Sequence, residues 1–282
     1  MSISMKLLTP SGVNASVETF TFPGGEHHLR GFPDLPHPAI TWLADVRGAD
    51  PNDLVKAALL ADVADGRGDD FVLLLPYAPA ARADRGTPFG ARVYADIINT
   101  MGAERVVVLD PHSPVVTHLL DRVVVADHAP LVERALNSSG YEYDAVIAPD
   151  KGAGDRTERV AEQLGVDLYK ADKRRDFETG RILSVEMNED LPKSGRYLVV
   201  DDICDGGGTF MGLADAIGLP REQLGLWVTH GIFSGNAHLL RNHYGRIFTT
   251  DSHPGHNRAD VATTIVPTFV HMLAHVPTPK RQ

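Results

Sequence analysis

Five runs of this chain are apolar at nearly every position: "FVLLLP" (71–76), "RVVVLD" (105–110), "DAVIAPD" (144–150), "YLVVDD" (197–202) and "LGLWVTH" (224–230). A strand with one wet face alternates apolar and polar side chains. A strand with no polar face must be covered on both sides, as in a parallel sheet held between helix layers. Amphipathic segments lie between the runs, among them "GARVYADIINTMGA" (90–103) and "DRTERVAEQLG" (155–165), the second closing on a glycine suited to a helix C-cap. The alternation predicts an α/β fold of mainly parallel sheets flanked by helices. With 282 residues and 43% apolar content the chain is long enough for two cores. The polar, glycine-containing stretch "LNSSGYEYD" (136–144) predicts the boundary between them, giving domains over 1–137 and 138–282.

The formal charge of −10 at pH 7 opposes a nucleic-acid backbone and offers nothing to a membrane surface. Neither is expected as a partner, and an anionic substrate must be met by local cations. One cysteine, Cys204, excludes an internal disulfide framework and a cysteine-rich zinc site, which suits a reducing compartment and makes the cytoplasm the expected location. The stretch "MSISMKLLTPSG" lacks the long apolar segment of a signal peptide, and no run approaches membrane-spanning length.

Open parallel sheets collect ligands beyond the carboxyl ends of their strands. After "YLVV" come Asp201 and Asp202, then Asp205, Gly206, Gly207, Gly208 and Thr209, with a helix expected to open near Phe210. Glycine amides at a helix N-terminus wrap a phosphate, and Thr209 adds a hydroxyl donor. The adjacent carboxylates suit sugar hydroxyls or a hydrated magnesium ion. A glycine turn capped by aspartates is also a common strand-to-helix joint, so three glycines alone decide nothing.

The full string "VVDDICDGGGT" (199–209) resembles the phosphoribosyl-diphosphate loop of type I phosphoribosyltransferases and ribose-phosphate diphosphokinases. Further segments are similar to the diphosphokinases in the same order: "FPGGE" (22–26), "PYAPAARADR" (76–85), "VVVLDPHS" (106–113), "APDKGAGDR" (148–156), "ADKRRD" (171–176) and "THGIFSGNA" (229–237). The resemblance implies two phosphoribosyltransferase-like domains and transfer of the β,γ-diphosphoryl group of magnesium ATP to the anomeric hydroxyl of ribose 5-phosphate. By the same resemblance Asp205 to Thr209 hold the 5-phosphate, and Asp201 and Asp202 the ribose hydroxyls or a second metal. His112 and Asp150 coordinate magnesium, for which manganese is a substitute, and "GAGDRT" is a diphosphate-side loop. Lys173 and Arg175 are the basic pair of a loop closing on the diphosphoryl group, with His112 counted beside them as catalytic. Phe22, Glu26, Arg82 and Arg85 belong to the ATP site, part of which a neighbouring subunit supplies in that family, so a homo-oligomer is expected. Taken singly, a histidine after a strand or a "KRRD" cluster is more often structural or solvated; only the collinear match favours function.

The chain departs from the family where it has Gly206 for threonine, Ala83 for glutamine and Gly24 for an acidic or amide residue, and "RGTPFGA" (85–91) is short. Each substitution removes a polar side chain from a ligand loop. Loss of side-chain bulk at Gly206 raises a different acceptor, ADP-ribose, on which phage-type relatives act, with a place in NAD metabolism. The loop is also compatible with a phosphoribosyltransferase and with a non-catalytic regulatory relative. "TTDSHPGHNRAD" (249–260) reads as a surface turn.

Overall fold

The computed structural model describes residues 3–9, 12–33, 40–175, 182–258 and 260–277, with backbone only at 14–16, 173–175 and 182–185. These form two compact units, one running to Ala126 and including the chain from Phe269 onward, the other Asp127–Thr268. The expected division at 137/138 therefore differs from the observed one. "LNSSGYEYD" is the end of a helix and the turn after it, and that helix buries Leu131, Val132, Ala135 and Leu136 within the second unit.

In the first unit the strands are β1 (Ile3–Thr9), β2 (Gly12–Ser16), β3 (Glu18–Thr21), β4 (His27–Arg30), β5 (Thr41–Val46), β6 (Asp70–Leu75), β7 (Arg105–Leu109) and β8 (Val123–Ala126). The helices between them are α1 (Pro51–Arg67), α2 (Gly90–Asn99) and α3 (Pro114–Leu119). The sheet order is β2-β1-β5-β6-β7-β8, parallel from β5 to β8 and antiparallel at β1 and β2, while β3 and β4 form a separate hairpin. The run "FVLLL" becomes β6, with Val72 to Leu75 fully buried; Leu73 and Leu75 pack in one core with α1 and α2. Truncating any one of these leucines to alanine costs about 2–5 kcal/mol, transfer and cavity terms together. The Asp50 carboxylate caps α1 by accepting from the Asn52 amide at 2.9 Å, with Pro51 at its first position, where the missing N–H costs nothing.

The second unit runs α4 (Ala129–Ser139), β9 (Ala145–Ala148), α5 (Gly154–Leu164), β10 (Asp167–Arg175), β11 (Ile182–Met187), β12 (Tyr197–Cys204), α6 (Gly208–Ile217), β13 (Leu224–Gly231), β14 (Arg246–Thr250) and β15 (Thr264–Val266). The order β11-β10-β9-β12-β13-β14-β15 is parallel except for β11. Every residue of β13 is buried, as its unbroken apolar pattern requires. A last helix, α7 (Phe269–Leu273), belongs to the first unit, where Lys6 lies 5.0 Å from the Phe269 ring centre. Among the described residues no helix is long and apolar enough to cross a membrane.

Candidate active site

In the second unit the residues of interest sit where four neighbouring parallel strands end. β9 leads to Asp150, β12 to Asp201, Asp202 and the glycine loop, β13 to residues 232–234, and β14 to Asp251–His253. β12 extends to Cys204, so both aspartates belong to the strand and project from adjacent positions on it. Arg156, in the first turns of α5, answers their charge, with its two terminal nitrogens 3.3 Å from Asp201 and 3.4 Å from Asp202. All three side chains are largely shielded from water. Burial pushes the Asp201 carboxyl well above the ordinary carboxylate range, Asp202 beside it adds to the rise, and Arg156 opposes it. The Asp202 amide donates back to Asp201 at 2.9 Å. Two oxygen-rich groups are thus fixed in one place by one guanidinium, an arrangement suited to accepting the hydroxyls of a sugar.

The glycine loop turns at Gly207, whose φ of +80° is the left-handed conformation that disfavours any side chain, and a Cβ there would stand 3.0 Å from Leu240. Gly206 and Gly208 have nothing within 4 Å of a Cβ position, so neither is a glycine for want of internal room. α6 starts at Gly208, two residues before the expected Phe210, and puts Thr209 in its first turn. Tyr244, fully buried, donates to the Phe210 carbonyl at 2.7 Å and pins that turn. Backbone amides at a helix start, with open space over two glycines, form a nest for an anion. Cys204, buried beneath the loop, has its thiol pushed up by burial and by Asp201 and Asp205, which makes it a packing group and not a nucleophile.

Asp150 accepts from the amides of Gly152 at 2.9 Å and Ala153 at 3.2 Å, capping a short 3-10 turn (Lys151–Ala153) that feeds α5. "GAGDRT" is accordingly the start of a helix and not an open loop. Lys173 and Arg175 lie at the end of β10, paired in register with Val185 and Ile182 of β11. The expected loop pair is therefore on the strand side of an antiparallel arm, because β10 outruns β9 and continues against β11; its side chains fall outside the described residues.

In the first unit Arg82 and Arg85 follow β6, and His112 follows the adjacent β7, so all three stand beyond the same edge of the sheet. All three are exposed, and Arg85 reaches Asp84 at 3.6 Å. Ala83 packs on the α2 entry, where a Cβ on Gly90 would approach its methyl at 2.9 Å. Asp110, just before His112, is a buried carboxylate with a φ of +39°. The β3–β4 turn brings Phe22 and Glu26 together, the Phe22 amide donating to the Glu26 carbonyl at 2.8 Å. Phe22 is 45% exposed and meets Phe20 edge-on at 4.9 Å. A Cβ on Gly24 would stand 2.5 Å from a Glu26 carboxylate oxygen, so glycine leaves room for that carboxylate to fold back over the turn.

A model of the phosphoribosyl transferase domain matches residues 120–218, which hold α4 to α6 and the glycine loop. A ribose-phosphate pyrophosphokinase of Sulfurisphaera tokodaii is 28% identical over 249 residues, 84% of this chain and 84% of the relative. One from Hyphomonas neptunium is 33% identical over 177 residues, covering 58% of this chain and 54% of the relative. The crystal structure of a phosphoribosylpyrophosphate synthetase from Mycobacterium smegmatis shares the fold with a TM-score of 0.73 at 22% identity, over 92% of this chain and 89% of that one. Over most of its length the chain is similar to ribose-phosphate pyrophosphokinases, and it shares the fold of a phosphoribosylpyrophosphate synthetase. That shared fold is α/β, with mainly parallel sheets flanked by helices in each unit.

Three residues of the second unit carry no sign of their role in the sequence. Arg156 sits inside "APDKGAGDR", but nothing in the string says that its guanidinium turns toward β12. Ser234 bonds to Asp205, a pairing across 29 positions with no local signature. His230, on β13, bonds through Nδ1 to Ser252 at 2.8 Å, and both are buried. Of the surface turn expected at 249–260, Pro254–Asn257 forms a 3-10 turn with Pro254 and Asn257 exposed, but Thr249, Thr250 and Ser252 are fully buried, and Gly255 lies so close to the Ile232 carbonyl that a Cβ would collide with it.

Proposed function

We propose that the chain is a magnesium-dependent ribose-phosphate diphosphokinase that transfers the β,γ-diphosphoryl group of ATP to the anomeric hydroxyl of ribose 5-phosphate. The observation that carries this reading is the arrangement at the end of β12: a carboxylate pair neutralised by Arg156, followed at once by a glycine nest on a helix N-terminus. The pair would take the ribose hydroxyls, and the amides of Gly206 to Thr209 the 5-phosphate, leaving C1 as the end not held by the loop. The C1 oxygen attacks the β-phosphorus, the bond from that phosphorus to the α,β-bridging oxygen breaks, AMP departs with the electron pair, and the hydroxyl proton is released. Arg82, Arg85, Phe22 and Glu26 are assigned to the nucleotide, and Lys173 and Arg175 to the charge that builds on the leaving oxygen. Positioning and electrostatics suffice for such a transfer, with no covalent enzyme intermediate.

Among the described residues no group of three or more His, Cys, Asp or Glu could hold a metal. That donor set fits an ion carried mainly by polyphosphate oxygens and water, the habit of magnesium, with Asp150 and His112 as the residues that would touch it. Magnesium there neutralises phosphate charge. Partners are ATP and the acceptor, and a homo-oligomer is the expected state.

One observation favours a second acceptor. The space over Gly206 is open, so a substituent on the 5-phosphate has somewhere to go, and ADP-ribose is the candidate. Incubation with magnesium ATP and each acceptor in turn, with mass detection of AMP and of the diphosphorylated sugar, tests both. Acceptor-dependent AMP supports the proposal, and the preferred acceptor assigns the branch. No acceptor-dependent AMP from either sugar rejects it, and ATP-independent consumption of phosphoribosyl diphosphate with a free base would indicate a phosphoribosyltransferase.

A further inference from the structure

We infer that Ser234 is a positioning residue that shapes the glycine loop before any ligand arrives, an inference resting on the assignment of residues 205–209 to the acceptor's phosphate. The Ser234 hydroxyl donates to the Asp205 carboxylate, and its amide donates to the Asp205 carbonyl at 3.0 Å. The two residues before it continue the attachment, the amides of Ile232 and Phe233 both donating to the Cys204 carbonyl at 3.0 Å. Residues 232–234 are thus stitched to the two residues that lead into Gly206.

The stitch is held in an unfavourable conformation. Phe233, a bulky buried residue, has a φ of +50°, which costs of order 1–3 kcal/mol and persists only where the surroundings over-determine it. They do so here. A Cβ on Gly231 would collide with the Phe233 ring, so glycine at 231 is what lets that ring lie flat against the strand end. The Arg258 guanidinium donates to the Phe233 carbonyl from the far side, and Gly255 packs on the carbonyls of Gly231 and Ile232. The strain delivers Ser234 to Asp205.

The consequence for the loop is electrostatic and entropic. Asp205 is an exposed carboxylate one residue before a nest built for an anion, and a carboxylate free to swing over those amides would compete with the incoming phosphate. Bonded to Ser234, it is held aside. Gly206 and Gly208, which no side chain restrains, are ordered through their neighbour, and the phosphate binds without first having to fix the turn.

Hydrogen exchange of the ligand-free protein tests the brace directly. Amides of residues 206–208 exchange at least about fivefold faster in Ser234→Ala than in the wild type, and Ser234→Thr, which keeps the hydroxyl, restores the slow rate. Ribose 5-phosphate then binds about tenfold more weakly to Ser234→Ala, the KM for that sugar rises by the same factor, and the KM for ATP and kcat stay within about twofold. Asp205→Ala, which removes the acceptor, is the second variant: it reproduces the exchange change, and adding Ser234→Ala to it has no further effect. Unchanged exchange in Ser234→Ala, failure of threonine to rescue, or additive single effects would overturn the inference. If wild-type protein binds no ribose 5-phosphate while exchange still responds to Ser234, the acceptor assignment falls and the brace stands.

Discussion

The two units carry their functional groups in opposite ways. In the second, Asp201, Asp202 and Arg156 are largely buried and bonded to one another, the entry to the glycine loop beside them is tied through Asp205 to Ser234 just past β13, and the first turn of α6 is held by Tyr244. In the first, Phe22, Arg82, Arg85 and His112 are on the surface of loops and a hairpin turn, with Arg85 93% exposed. Buried charge holds its geometry in advance, at the cost of desolvation that only a partner offsets. Exposed charges are screened by water and salt, and their pairings contribute little to holding them in place. A sugar phosphate, small and with few contacts, gains most from a site shaped beforehand; a triphosphate, with many charged oxygens, can order exposed side chains itself.

The largest effect should come from breaking the buried side of this contrast. Arg156→Met leaves two adjacent carboxylates without their cation, and should lower folding stability by about 3 kcal/mol and AMP formation by more than about a hundredfold. Thermal unfolding and AMP release check both, and equal loss in Arg85→Met would erase the contrast. Lys173→Ala should lower kcat by about a hundredfold with the melting temperature unchanged, since the task proposed for it is to meet charge that builds during transfer; parallel melting and turnover measurements separate the two. Gly206→Thr introduces a hydroxyl where there is open space, so it should leave stability unchanged and shift selectivity about tenfold toward ribose 5-phosphate over ADP-ribose, read as a ratio of kcat/KM values.

The smallest effect is a pH dependence. Burial, with His230, His256 and Arg258 nearby, lowers His253 to about 4, while Asp205 pulls the other way. A histidine depressed in the fold stabilises it above the unfolded value near 6.5, and that contribution is lost as pH falls from there toward 4. His253→Gln should flatten the decline of the melting temperature across that window while leaving pH 8 stability alone. A decline of unchanged slope would show that other groups govern it.

Much of this arrangement is legible in the residues alone. The unbroken apolar runs name β6, β7, β9, β12 and β13 because a strand buried on both faces has no polar positions to hide. "DRTERVAEQLG" is α5, capped at Gly165 in the left-handed conformation its place requires. β1, β2, β3 and β4 carry no such signal, since antiparallel edges and hairpins mix polar and apolar residues. The charged strand ends are visible as composition, but their partners are not. Arg156 meets Asp201 across 45 positions, and only the parallel pairing of β9 with β12 brings α5 beside that strand end. Residues 249–260 look polar in sequence, yet the hydroxyls of Thr250 and Ser252 bond to the Thr229 carbonyl near the end of β13 and Ser252 meets the His230 imidazole, and a polar residue with a buried partner cannot be told from a solvated one by type.

The central claim is that the acceptor's phosphate sits in the nest at the start of α6. Backbone amide resonances of Gly206, Gly207, Gly208 and Thr209, followed by NMR during titration with ribose 5-phosphate, test it most directly. The account predicts that these four amides move first and furthest, with Phe210 and Ser234 next. Large shifts confined to the first unit, with residues 206–209 unmoved at saturation, would contradict it.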